Sequence, residues 1–153
     1  MKRVAILGGG PSGAFAAERL ASAGVATVLF DEKLAWEKPC GGGLTHKAYR
    51  RYPFLIENPA PKRLVNEAVL SAPAAGSVRI DLREPLVVYS RLDLNRMLLE
   101  RAAQAGAQIE KARVQEMHRN GRWLLRTSSG SVEADMRRNL AYVRELLARE
   151  AGA

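Results

Sequence analysis

Three features of the sequence predict an α/β domain built on a small parallel sheet. Residues 4–7 and 27–30 are short apolar runs of the kind that buried parallel strands show. A glycine-rich turn, Gly8-Gly9-Gly10-Pro11-Ser12-Gly13, follows the first run directly. An alanine-packed stretch, residues 14–23, then reads as a helix closed by Gly24 before the second run begins.

The turn fits G-x-G-x-x-G with glycines at 8, 10 and 13, and Asp31 stands at the end of the second strand. Each part has a physical job in a dinucleotide site. Gly8 permits a tight turn, Gly10 lets backbone approach a pyrophosphate, and Gly13 lets helix and strand pack closely. The helix N-terminus supplies unpaired N–H groups and partial positive charge for phosphates. An acid at the end of the second strand accepts hydrogen bonds from a ribose. A glycine-rich turn alone is also met as a purely structural device. Strand, helix and acid all standing where the mechanism needs them argue for the dinucleotide site. Met1-Lys2-Arg3 before an apolar run suggests a secretory signal, but the Gly-Pro interruption at 8–13 leaves no continuous apolar segment.

Composition sets the outer bounds. At 153 residues the chain is one domain by length. No apolar run approaches the roughly 20 residues of a membrane helix. Cys40, the single cysteine, excludes an intramolecular disulfide and fits a reducing, cytoplasmic setting. The net charge of +8 suits an anionic cofactor or an acidic membrane surface, and equally a solvated arginine-rich surface. The basic residues are scattered without interleaved aromatics, so nucleic acid is not an expected partner.

After Asp31 a long loop ends in Gly41-Gly42-Gly43, with Thr45 as the cap of a short helix over 46–51. The three glycines mark either another close approach of backbone to a ligand or structural slack. Three prolines make 52–61 a loop, and residues 65–70, 77–82 and 86–90 are strands of an antiparallel excursion within 64–90. A helix begins at Arg91 with Asp93 as N-cap, presents Leu94, Met97, Leu98 and Ala102 on one face, and ends at Gly106. Residues 107–111 form a short strand. Residues 113–118, 122–127 and 131–134 form a three-stranded meander with a hairpin at Asn120-Gly121. From Met136 onward an amphipathic helix is predicted, with Met136, Leu140, Val143 and Leu147 on one face. His46 and His118 have no partner constellation and are expected on the surface. The architecture is therefore three-layered: helices on one face of the small parallel sheet and the meander on the other.

Three segments also resemble a known family. They are Gly8-Gly9-Gly10-Pro11-Ser12-Gly13 with Asp31, Lys38-Pro39-Cys40-Gly41-Gly42-Gly43-Leu44, and Ser90-Arg91-Leu92-Asp93-Leu94 before a helix ending Ala105-Gly106-Ala107. Together they look like the N-terminal part of a flavin-dependent oxidoreductase of the geranylgeranyl reductase type, in the p-hydroxybenzoate hydroxylase-like group. The first segment is shared by many nucleotide-binding proteins, and the Pro-Cys-Gly-Gly-Gly stretch is more specific to the reductases. The resemblance implies an FAD/NAD(P)-binding Rossmann-like domain over 1–135. It puts Gly8, Gly10, Ser12 and Gly13, with Pro11, on the FAD pyrophosphate, and Asp31, with Glu32 beside it, on the adenosine ribose. It implies that Arg91 reaches the cofactor, that the backbone of Val114 meets the adenine, and that the loop with Gly42 and Gly43 approaches the flavin. Cys40 is a doubtful catalytic candidate, since a small loop thiol explains it as well.

The resemblance further implies hydride transfer through the flavin to an isoprenoid-type double bond, with NAD(P)H as reductant and a lipid or isoprenoid substrate. Peripheral membrane contact goes with such a substrate. Beyond Asp135 the sequence departs from the family, which continues with an apolar strand, a Gly-Asp motif beside the ribityl chain and a substrate-binding sheet domain. The strand that would pair beside residues 4–7 is among the missing parts, so those residues are expected at an apolar edge open to self-association. Two other readings stay open: a truncated, non-catalytic dinucleotide-binding remnant, and an NAD-binding module.

Overall fold

A computed structural model describes residues 3–39 and 42–135. Cys40 and the helix expected over 136–153 lie outside the described residues. The described residues form two compact units, one of residues 3–34 and 98–135 and one of residues 35–39 and 42–97.

In the first unit, strand β1 (Arg3–Leu7) leads into helix α1 (Pro11–Ser22), and strand β2 (Ala26–Phe30) pairs with β1 in parallel. Strand β6 (Gln108–Glu110) adds to the far side of β2, giving the order β1-β2-β6. Helix α1 starts three residues before the predicted position. Pro11 occupies its first turn, where the missing N–H costs nothing and the fixed φ is already helical.

The strand register divides the side chains by period 2. Ala5, Val28 and Phe30 face one way, and Ile6 and Leu29 face the other. The first set packs against Ala112, Leu125 and Ala134, with Val114 and Val132 beside them. These come from or flank the meander of β7 (Val114–Asn120), β8 (Arg122–Thr127) and β9 (Gly130–Ala134), which hairpins at Gly121 with φ +70°. Leu29 and Leu125 are fully buried, each contributing about 1.5–3 kcal/mol of transfer free energy. Helix α1 packs on β1 and β2 through Ala14, Ala17 and Leu20. Helix, parallel sheet and meander give the expected three layers.

Helix α4 (Arg91–Gln104) buries Leu94, Met97, Leu98 and Ala102, the face the periodicity predicts. Arg101 on its last turn forms an ion pair with Glu18 of α1. Its cap differs from the expectation. The hydroxyl of Ser90 accepts the Asp93 N–H at 3.0 Å, so Ser90 is the N-cap and Asp93 sits three residues into the helix. The Ser-x-x-Asp spacing carries that signal.

The second unit holds strand β3 (Gly42–Leu44), helices α2 (His46–Arg51) and α3 (Phe54–Glu57), and strands β4 (Arg63–Ala72) and β5 (Gly76–Tyr89) in the order β3-β5-β4. Three expectations are corrected here. The loop over 52–61 contains α3, whose C-terminal end is held by Asn58 donating to the Phe54 carbonyl at 2.7 Å. The two strands expected either side of Glu84-Pro85 are one strand, because Pro85 falls in the bulge between the Leu86↔Val65 and Asp81↔Glu67 pairs, where no ladder donor is needed. The end of the glycine loop is a strand: Gly42 pairs with Tyr89, and a Cβ on it would lie 2.6 Å from the Tyr89 carbonyl oxygen. Thr45 stands at the N-cap of α2 as expected, though its side chain makes no capping hydrogen bond.

Tyr89 anchors this unit. Its hydroxyl donates to the Leu55 carbonyl at 2.7 Å and accepts from Asn58 Nδ2 at 2.7 Å. Burial pushes its phenol up, against the opposing effect of the Asn58 bond.

Candidate functional site

The turn between β1 and α1 is closed by backbone. The Gly8 N–H donates to the Phe30 carbonyl at 2.8 Å, and Gly8 has φ +103°, a conformation that glycine adopts freely. A Cβ on Gly13 would lie 2.0 Å from the Gly8 carbonyl oxygen, so helix and turn approach this closely only with glycine there. Gly10 is the opposite case. It is the N-cap of α1, and a Cβ on it meets nothing within 4 Å. The space above Gly10 is open, and the first turn of α1 carries no acid and no side-chain cap. The N–H groups of Ser12 and Gly13 at the start of this helix therefore present uncompensated partial positive charge, which suits an anion.

Asp31 ends β2 and faces this turn. Its Oδ2 accepts the Gly9 N–H at 2.7 Å, and its Oδ1 accepts the N–H groups of Lys33 at 2.8 Å and Leu34 at 2.6 Å. Leu34 has φ +57°, a left-handed conformation that costs a non-glycine residue about 1 kcal/mol, and the Asp31 carboxylate holds it there. Burial pushes the Asp31 carboxyl up, but the three N–H donors and the Lys33 charge outweigh burial and keep it below the ordinary aspartate value. Three of the roughly four acceptor places on a carboxylate are used, which leaves one on Oδ2 for a ligand.

Glu32 is the neighbouring carboxylate. Its Oε2 lies 3.8 Å from the Arg113 guanidinium, both groups being exposed. Gly8, Asp31, Glu32, Arg113 and Val114 line one cavity of about 400 Å³ at the carboxyl ends of β1 and β2. Ligands of open α/β sheets bind at that end of the strands. Arg113 is the residue the sequence reading missed; its place beside Val114, at the entry to β7, was the available signal.

The first unit thus brings together Gly8, Gly10, Pro11, Ser12, Gly13, Asp31, Glu32 and Val114. Gly42, Gly43 and Arg91 belong to the second unit. There the Arg91 backbone N–H donates to Glu37 Oε1 at 3.0 Å, which ties the loop to the start of α4. The Arg91 Nε is buried without a hydrogen-bond partner among the described residues. A buried donor left unpaired is costly unless a ligand completes it. Gly42 is accounted for by its approach to Tyr89, whereas Gly43 is exposed with open space above it. His118 is exposed and sits 3.3 Å from Glu116, and the His46 ring packs 5.2 Å from that of Tyr49. The open space at Gly8 and Gly10 fits the pyrophosphate of a dinucleotide cofactor.

No family model matches the chain. Its sequence is 34% identical over 113 residues to the chloroplastic geranylgeranyl diphosphate reductase of Oryza sativa subsp. japonica, covering 70% of this chain and 24% of that protein. It is 57% identical over 42 residues to the geranylgeranyl diphosphate reductase of Synechocystis sp., covering 28% of this chain and 10% of that protein. The chain spans a quarter or less of the length of these relatives. Among solved structures, a geranylgeranyl bacteriochlorophyll reductase-like protein from Thermoplasma acidophilum superposes with a TM-score of 0.71 at 22% identity, over 87% of this chain and 37% of that one. In sequence the chain is similar to the geranylgeranyl diphosphate reductases over 70% of its length, and its fold is that of the FAD/NAD(P)-binding Rossmann-like proteins.

Proposed function

We propose that this chain binds FAD and serves a flavin-dependent oxidoreductase that reduces an isoprenoid-type double bond. The observation that carries the reading is the turn over residues 8–13. It is closed so tightly that only glycine fits at 13, yet it is open above Gly10, where a pyrophosphate would lie. Homology to the geranylgeranyl diphosphate reductases supports FAD as the dinucleotide and an isoprenoid as the substrate class.

When bound, the flavin supplies the redox chemistry by accepting and passing on a hydride. The chain supplies binding and orientation. The N–H groups at the start of α1 take the pyrophosphate, and the glycines at 8 and 10 keep side chains out of its way. The remaining acceptor place on Asp31 takes one ribose hydroxyl, and Glu32 takes the other. The backbone of Val114 meets the adenine, and the Arg91 guanidinium takes the cofactor as its missing partner. In this reading residues 1–135 are the FAD-binding domain and NAD(P)H is the reductant. A cytoplasmic site at a membrane surface goes with it, because an isoprenoid chain partitions into lipid, as does self-association through the β1 edge. We nominate no general acid or base among the described residues.

The test is a titration of the purified chain with FAD, read by flavin fluorescence and the visible spectrum, with NAD and NADP titrated in parallel. A spectral change on adding FAD supports the reading. A colourless protein that leaves FAD fluorescence unchanged overturns it, and binding of NAD alone would make the chain an NAD-binding module.

A further inference from the structure

The cationic face of α2, in the second unit, has no part in the site described above. Lys47, Arg50 and Arg51 line a groove of about 910 Å³ together with Thr45, His46 and Tyr52, and none of the described lining residues is acidic. That volume lies within the range of ligand sites, about 300–1,000 Å³. Tyr49 is buried and donates its hydroxyl to the Pro85 carbonyl at 2.9 Å, which fixes the helix and turns Lys47, Arg50 and Arg51 to solvent.

The three cations stand close enough to repel one another. Lys47 stands three residues from Arg50 and four from Arg51, the spacings at which like charges on a helix repel by about 0.2–0.5 kcal/mol per pair. The first turn holds no acid to offset them. No ion pair among the described residues engages any of the three, whereas Arg79, Arg96, Arg101, Arg113, Arg122 and Arg126 all have carboxylate partners. Three unpaired cations within one and a half turns of an open groove suit a ligand with several negative oxygens, and arginine forks match phosphate oxygens in pairs.

We propose that this groove binds a phosphate-bearing anion, and that Lys47, Arg50 and Arg51 hold a diphosphate group in particular. As the head of an isoprenoid substrate, this ligand rests on the function proposed above. The recognition itself does not require that reading. The same chemistry would serve a phospholipid headgroup, so the two sources need separate arms of the test.

The test is calorimetric titration with inorganic pyrophosphate of the Gly10→Val protein, in which the anion site at α1 is blocked. The same titration is then run with Lys47→Ala, Arg50→Ala and Arg51→Ala added. Pyrophosphate should bind the first protein and bind the second at least about tenfold more weakly, the loss expected for charge-assisted hydrogen bonds. Arg119→Ala, at another exposed arginine, should leave binding unchanged. Single Arg50→Gln and Arg51→Gln variants, each checked by circular dichroism, guard against a triple variant that fails to fold. Absence of pyrophosphate binding, or equal binding with and without the three cations, overturns the proposal. Competition by geranyl diphosphate identifies a soluble substrate. Retention on phosphatidylglycerol vesicles that is lost in the triple variant identifies a headgroup. FAD titration of the triple variant in the Gly10 background keeps the two readings apart: unchanged FAD affinity with lost pyrophosphate binding supports this site alone.

Discussion

The Asp31 carboxylate accepts the Gly9 N–H at 2.7 Å, so the acid that ends β2 is a structural clamp on the turn as well as a ligand group. The same side chain reaches Lys33 and Leu34, which joins the turn, the strand end and the following bend through one carboxylate. Cofactor site and local fold therefore share a residue, and substitutions around it separate the two roles.

Gly10 and Gly13 should respond oppositely. Gly10→Val places a side chain in open space, so the fold persists while FAD affinity falls at least about 100-fold by obstruction of the pyrophosphate. Gly13→Ala drives a methyl group into the Gly8 carbonyl and should cost about 3 kcal/mol or more in stability. Circular dichroism and thermal unfolding, run beside FAD titration, distinguish lost binding from lost folding. Equal stability of the two variants would contradict the packing described here.

Asp31→Asn should lower stability by about 1–2 kcal/mol at neutral pH, because a charged acceptor of three backbone donors becomes a neutral one. Folding lowers the pKa of Asp31, so its contribution is fully present above the unfolded-state value of about 3.9 and is lost as the pH falls through the lower folded-state value. Wild-type and variant unfolding curves should thus converge in strongly acidic solution. A difference that stays constant down to that range would show that the charge is not what matters.

Ser90→Ala removes the hydroxyl that accepts the Asp93 N–H and should cost about 1 kcal/mol. Thr45→Ala removes a side chain that makes no capping bond and should cost a few tenths at most. Chemical denaturation of the two variants provides the comparison.

Glu18→Ala breaks the pair with Arg101 that joins α1 to α4. Glu18 is mostly buried, but the Arg101 side chain keeps about a third of its surface in water, which limits the penalty of losing this partner. A loss of about 1–2 kcal/mol is expected, with little change when salt is raised. A strong salt dependence would mark the pair as an exposed surface contact.

The sequence by itself determined the βαβ unit, its glycine turn, the apolar face of α4 and the meander. These rest on local patterns: period 2 in strands, helical spacing in α4, and turn residues whose backbone requirements are their own. What only the tertiary structure decided involves partners distant in the chain. The strand character of residues 42–44 depends on Tyr89, and the continuity of β5 through Pro85 depends on a bulge opposite β4. Sequence spacing marks Asp31 as an acid in position, but its three backbone donors exist only once the turn has folded beneath it. The same holds for Glu18 and Arg101, 83 residues apart, whose pairing no local pattern announces because it forms only when α1 and the end of α4 come together.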